Sequence, residues 1–349
     1  MHTLTRSLLL AVLAAAVLAL PAHAWDRSPA TTFATLPPGA AHPEGITVDA
    51  AGKVYVTTFN VGRAGVPGEL GHLFVFSHNG RLLRQVAVHN SSPLLLDLAF
   101  HPHTGDLLVI DFGGAQVLKV DPMTGESQVF TSLADQPGLN VLTFDRHGNV
   151  YISASFAGAI FKTGPHGGAA TVWVESALLR TSGVPGFGAN GLAFNNAHAT
   201  LFVANTGNDT IVKIPVDTNG NPGTPAVFVN GVNGADGLII DEHDNLWVAA
   251  NQADEIVVIH PTGRVIAKLG DFDGLDRHGA PKGLLFPASL VRSGEFIYVT
   301  NLAIDLRLFD DPTKPTLTNG TVDSQWAADV KVHTIAKIRA RIPRVPGLP

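Results

Sequence analysis

Five side-chain oxygens recur at one place in a repeated sequence unit, and their chemistry is that of a hard-cation site. Glu44, Asn140 and Asp236 each stand 11 residues before an aromatic residue of a hydrophobic strand, namely Tyr55, Tyr151 and Trp247. Asp97 stands 11 before Leu108, and Asn190 stands 12 before Phe202. None of the five offers sulfur or imidazole. Calcium takes six to eight oxygens from carboxylates, amide carbonyls and water in irregular geometry, whereas zinc favours nitrogen and sulfur. Calcium is therefore the expected ion, with zinc, manganese and magnesium as compatible substitutes. Three carboxylates about one point would repel one another without a cation and would hold raised pKa values. The same side chains could instead hydrogen-bond one another or bind channel water.

These residues converge only if the units that carry them are arranged in a ring. Each unit reads as a short apolar strand, a turn around Gly or Asn, and a second strand of aromatic and β-branched residues. Glu44-Gly-Ile-Thr-Val-Asp leads to Val54-Tyr-Val-Thr, and Asp236-Gly-Leu-Ile-Ile-Asp leads to Leu246-Trp-Val-Ala. Counting from Glu44, Asp97, Asn140, Asn190, Asp236 and Ala288, the six copies begin 53, 43, 50, 46 and 52 residues apart. That is the period of four-stranded propeller blades. Third strands such as Gln116-Val-Leu-Lys-Val and fourth strands such as Ala226-Val-Phe-Val complete the units. The expected fold is all-β, a six-bladed β-propeller. Thr31-Thr-Phe-Ala-Thr-Leu reads as a fourth strand and Thr334-Ile-Ala-Lys-Ile as a third, so both termini are expected to share the last blade and hide its edges.

Connections on one face are terse, as at Ala50-Ala-Gly-Lys and Glu242-His-Asp-Asn. The other face collects insertions at about 59–71, 175–189, 270–287 and 302–333. Long loops on a rigid scaffold are where binding and catalysis concentrate, so the elaborated face is the expected functional face.

The chain has 349 residues, 45% hydrophobic and 15% charged, with net charge −6. This is a globular composition, and without a clustered basic face it excludes a nucleic-acid partner. Residues 1–24 differ from the rest. Arg6 precedes an apolar run from Leu8 to Leu20, and Ala22-His23-Ala24 fits a cleavage site before Trp25. This reads as a signal peptide, leaving 25–349 as one propeller domain that is secreted or periplasmic and has no membrane association in the mature form. There is no cysteine, so stability must come from the core and not from disulfides.

The runs Pro43-Glu44-Gly45, Asn190-Gly-Leu-Ala-Phe and Ala235-Asp236-Gly237 with Ile240-Asp241 resemble the SMP-30/gluconolactonase/LRE family. The resemblance implies that Glu44, Asn190 and Asp236 hold the metal and that Asp236 is also the catalytic general base. Asn140 would contact substrate, and in related propellers its counterpart also ligates the calcium; Asp97 joins it as a candidate substrate contact. The implied activity is metal-dependent hydrolysis of lactones or related esters, with a small-molecule substrate. Two departures argue against a sugar lactone. Gly138 stands where that family's enzymes carry an Arg, and no acidic residue marks the sugar-binding position near Gly158. The alternative is a non-catalytic propeller binding a sugar, peptide or protein. A lyase or isomerase drawing on His72, His89 or His198 is a third class. No Gly-x-Ser-x-Gly elbow is present to supply a serine nucleophile.

Overall fold

A computed structural model describes residues 27–136, 138–309 and 322–342. The proposed signal peptide lies outside the described residues. The described residues hold six four-stranded antiparallel sheets, one short hairpin, Phe272–Leu275 with Pro281–Gly283, in the insertion at 270–287, and a short α-helix, Val322–Ala328. The expectation of a six-bladed propeller is borne out. The inner strands are Pro43–Val48, Leu95–Phe100, Leu139–Phe144, Ala189–Phe194, Ala235–Ile240 and Pro287–Ser293. They define blades one to six. In the sixth sheet, Thr31–Thr35 forms the outer edge and pairs antiparallel with Thr334–Arg339, which pairs with Phe296–Asn301.

The second strands show why their sequences are nearly continuous apolar runs. Val54–Thr58, Leu107–Asp111, Val150–Ala154 and Leu246–Ala250 are buried at every residue. Neighbouring blades cover both of their faces, so no position is left for a solvent-facing polar residue. Outer strands such as Leu82–Ala87 face water and are correspondingly mixed.

The core is a set of seams between adjacent blades. Tyr55, Leu73 and Val75 of blade one meet Leu95, Leu98 and Val109 of blade two. Trp247 and Ile256 of blade five meet Leu290 and Val299 of blade six. Phe33 and Tyr298 of blade six meet Val56 and Phe74 of blade one, the two rings of the first pair lying edge to face at 4.5 Å. Truncating a fully buried leucine such as Leu107 in one of these seams would cost about 2–5 kcal/mol.

Turn chemistry repeats with the blades. Asp49, Asp145 and Asp241 each accept backbone N–H groups two and four residues on, and each also binds the polar tip of an aromatic six residues on: Tyr55, Tyr151 or Trp247. These Asx turns clamp the short connections. Between third and fourth strands, Gly80, Gly125 and Gly167 adopt positive φ. A Cβ on each would stand 2.0–2.1 Å from a carbonyl oxygen of the preceding blade's outer strand (Phe33, Ala87 and Phe130). Glycine is required there because the blades touch through it. Among the described residues, no helix is long and apolar enough to cross a membrane.

Candidate metal centre

Every inner strand carries a register break between its first and fourth residues, at Pro43/Ile46, Leu95/Leu98, Leu139/Leu142, Ala189/Leu192, Ala235/Leu238 and Pro287/Leu290. Such bulges re-aim side chains beside functional sites. Hydroxyls from second strands pin several of them. Thr57 Oγ1 accepts from the Gly45 N–H at 3.1 Å, Ser153 Oγ from Val141 at 2.9 Å, and Thr300 Oγ1 from Ser289 at 3.0 Å. The second residue of each inner strand therefore stands at the mouth of the channel. Those residues are Glu44, Leu96, Asn140, Asn190, Asp236 and Ala288, all buried.

Three of the four polar members, Asn140, Asn190 and Asp236, are oriented by side-chain hydrogen bonds. Asn140 donates its Nδ2 to Ser155 Oγ at 3.2 Å, and Asn190 donates its Nδ2 to Thr206 Oγ1 at 2.9 Å. Asp236 Oδ2 accepts from Asn251 Nδ2 at 3.1 Å. With the amide nitrogens occupied, the oxygens turn inward. Glu44 Oε2 and the Oδ1 atoms of Asn140, Asn190, Asp236 and Asn251 are all buried without a hydrogen-bond partner, and all five residues line one cavity.

Each such orphan costs about 1–3 kcal/mol, so five around one space would be hard to sustain unless something binds there. Two carboxylates and three amide carbonyls, with no cationic side chain among the described residues lining their cavity, form a set that a hard divalent cation satisfies and that an anion does not. The free space of about 40 Å³ admits an ion with a water. Electrostatics agree. Burial, then the charges of Asp236 and Asp97, push the Glu44 carboxyl well above its ordinary value, and burial pushes Asp236 up to about 7 against the hydrogen bonds it accepts. A cation would reverse both shifts.

Asp97 is not part of this mouth, which corrects the reading above. The turn between the first two strands of blade two, residues 101–106, is one residue longer than its counterparts at 49–53, 145–149 and 241–245. Counting back 11 from Leu108 therefore stops one position short, and Leu96 occupies the mouth. Asp97 faces the opposite end of the channel beside Thr47 and Leu98. Its Oδ2 accepts the Leu142 N–H at 3.0 Å, and burial pushes its carboxyl up to about 7. The cage thus has two carboxylates, not three, and Asp97 does not line the cavity proposed for substrate.

Sequence reasoning missed Asn251, Thr206 and Ser155. All three immediately follow a second strand, 15 or 16 residues after their mouth residue. The same position holds Phe59, Phe112 and Leu302 in blades one, two and six, so a second ring, half polar and half apolar, was legible in the spacing.

The apolar half continues into a cover. Phe59, Phe112, Phe156, Phe187 and Phe309 form one network of ring contacts with centroids 5.3–6.3 Å apart. Gly138 at φ +93° lies beneath it, where a Cβ would fall 2.7 Å from the Phe156 ring. A phenyl group thus closes over the place where an Arg was sought. His72, His89 and His198 do not line the cavity. Asp241, Glu242 and His243 cluster on a short turn, but the Asp241 oxygens are already committed to that turn and to Trp247.

Residues 187–270, which hold Asn190, Asp236 and Asn251, match the family described as SMP-30/Gluconolactonase/LRE-like region. The resemblance read from the sequence is borne out there. No curated protein sequence matches the chain at a significant level. Among solved structures, the calcium-binding protein regucalcin from Agrobacterium tumefaciens is similar at 18% identity and TM-score 0.57, over 91% of this chain and 99% of that one. A gluconolactonase from Xanthomonas campestris is similar at 15% identity and TM-score 0.57, over 80% and 94%. A virginiamycin B lyase from Staphylococcus aureus is similar at 14% identity and TM-score 0.53, over 78% and 81%. At these identities the likeness is one of fold, and the fold carries both hydrolases and lyases.

Proposed function

We propose that the chain is an exported, metal-dependent hydrolase of lactones or related esters, working at the elaborated mouth of the propeller. The observation that carries this reading is the convergence of five unpartnered buried oxygens, two of them carboxylate, on one cavity. The match over residues 187–270 and the calcium-binding and gluconolactonase neighbours support it. Export rests on the character of residues 1–24.

Glu44, Asn140, Asn190, Asp236 and Asn251 would hold the cation, with calcium best suited to an all-oxygen set. When bound, the ion supplies positive charge beside the scissile carbonyl oxygen. Asp236 is held at Oδ2 by Asn251, which leaves Oδ1 facing the cavity to take a proton from water. The water oxygen adds to the carbonyl carbon, the ester C–O bond breaks, and the proton returns from Asp236 to the departing oxygen. Asn140, anchored through one Nδ2 hydrogen by Ser155, would orient the carbonyl with its second Nδ2 hydrogen.

Asp236→Ala should lower kcat by 1,000-fold or more on any lactone or aryl ester the wild type hydrolyses, with an unchanged circular dichroism spectrum. Undiminished turnover by that variant would remove Asp236 from the chemistry.

A further inference from the structure

The cavity lining falls into two chemical sets. Its polar side chains are the five oxygen donors and Thr206, which holds one of them. The rest of the lining is apolar, chiefly Phe59, Leu96, Phe187, Phe286, Ile304 and Phe309, and among the described residues no Lys, Arg or His reaches the cavity. The apolar set is drawn from the connections of blades one, four, five and six together with a blade-two mouth residue, so it is a built wall and not one loop's accident. Phe187 lies at its centre, in ring contact with Phe112, Phe156 and Phe309.

Building on the hydrolytic reading above, we propose that the substrate is a neutral lactone or ester with an apolar body, an alkyl chain or aryl ring, and not a polyhydroxylated lactone. Among the described residues, the only polar side chain lining the wall beyond the oxygen cage is Thr206, already engaged by Asn190. Each sugar hydroxyl brought against the wall would lose its water without replacement, at roughly tenfold in affinity per group. Each methylene placed there gains roughly three- to fourfold. Aromatic walls also accept flat rings edge to face. A carboxylate or phosphate on the body, held against the wall away from the cation, would lose its water and meet no basic side chain among the described residues, so the body must be uncharged. Phe156 and Phe309 extend this wall to the surface, where they are 47% and 38% exposed, giving an apolar molecule a continuous path to the cage.

The test compares δ-decanolactone with δ-gluconolactone on the calcium-supplemented protein, together with binding of the corresponding lactams by calorimetry, since lactams resist turnover. The expected result is a kcat/KM at least 100-fold higher for δ-decanolactone and tighter binding of its lactam. Phe187→Ser should raise the KM for δ-decanolactone at least tenfold, and Phe187→Leu, which restores apolar bulk, should recover most of it. Equal or faster hydrolysis of δ-gluconolactone would overturn the substrate class while leaving the hydrolase reading standing. If neither lactone is hydrolysed but the decanolactam binds, the hydrolase reading fails and the apolar site survives. If neither lactam binds, the site assignment itself is wrong.

Discussion

Asn251 donates its amide N–H to Asp236 Oδ2 across 3.1 Å, and the remaining oxygen of each residue is left buried and unpartnered in the same cavity. One residue is the mouth position of blade five and the other closes that blade's second strand. A single blade therefore supplies a donor together with the group that aims it. The same design holds for Asn140 with Ser155 and for Asn190 with Thr206.

Calcium should stabilise the protein. At free calcium 1,000 times its Kd, binding to the folded state alone contributes about 4 kcal/mol, which for a domain of this size raises Tm by roughly 6 °C. Scanning calorimetry in calcium against a chelator measures this, with magnesium, manganese and zinc as comparisons. Identical transitions in all conditions would argue that the five oxygens bind no ion.

Asn251→Ala should weaken calcium binding by about 10–100-fold, the usual consequence of losing a group that orients a ligand. It removes one donor oxygen and releases Asp236 Oδ2 at the same time. Ser153→Ala, at a bulge hydroxyl away from the cavity lining, should leave calcium affinity within about twofold. Titration calorimetry on the two variants separates cage from scaffold, and equal losses would remove Asn251 from the cage.

Stability should fall with rising pH between 6.5 and 8, chiefly because of Asp254, with the raised carboxyl of Asp97 adding to the fall up to about pH 7. Burial, then the neighbouring Asp323 charge, push the Asp254 carboxyl up to about 8, while its Oδ1 accepts the Phe286 N–H at 2.7 Å. The folded chain therefore keeps a proton that the unfolded chain has lost above pH ~4, and stability declines by roughly 1.4 kcal/mol per pH unit until the folded group ionises. His42 and His333 are both held low by burial, His333 to about 3. They act in the opposite sense, but only below about pH 6.5, where unfolded histidine titrates. Asp254 has φ +52°, a conformation that asparagine tolerates. Asp254→Asn should therefore fold and flatten the slope. Urea melts at pH 6.5 and 8 in excess calcium test this, and parallel slopes in both proteins would show that Asp254 carries no proton.

Gly191→Ala should cost 3 kcal/mol or more and abolish calcium binding. Its Cβ would stand 2.2 Å from the Asp236 carbonyl oxygen and 2.9 Å from the Leu238 nitrogen. Both are backbone atoms of the next blade's inner strand, with no flexible side chain to yield. Gly164→Ala, with nothing within 4 Å of the added carbon, should shift stability by less than about 1 kcal/mol. Urea denaturation of the pair checks both, and equal tolerance would show that the inner strands are looser than this packing.

The ring was legible because its blades obey a period, and a period survives in the sequence wherever packing repeats. Val54–Thr58 and Leu246–Ala250 are built of apolar, aromatic and β-branched residues because both faces are covered, and the buried hydroxyl of Thr57 is satisfied by the neighbouring inner strand. The same reliance on spacing misplaced Asp97, since a turn one residue longer in blade two leaves the strands intact while shifting the count. Asn251 was overlooked because its role depends on which way an amide turns, which Asp236 decides through a hydrogen bond. Of the phenylalanine cover, only Phe59 and Phe112 follow the spacing. Phe187 and Phe309 come from separate insertions, and nothing periodic links them to Phe59 or Phe112.

Two of the six mouth positions, Leu96 and Ala288, carry no heteroatom although the bulge beneath them is the same as under the others. The scaffold thus presents six interchangeable seats with four taken, and the formal charge of the assembly follows from who sits where. Filling the seat at 288 with aspartate would take the pair of negative charges to three and favour a more highly charged ion. Emptying the seat at 44 would leave one charge and favour a monovalent guest. Ion preference in this architecture becomes a matter of occupancy, adjustable one blade at a time.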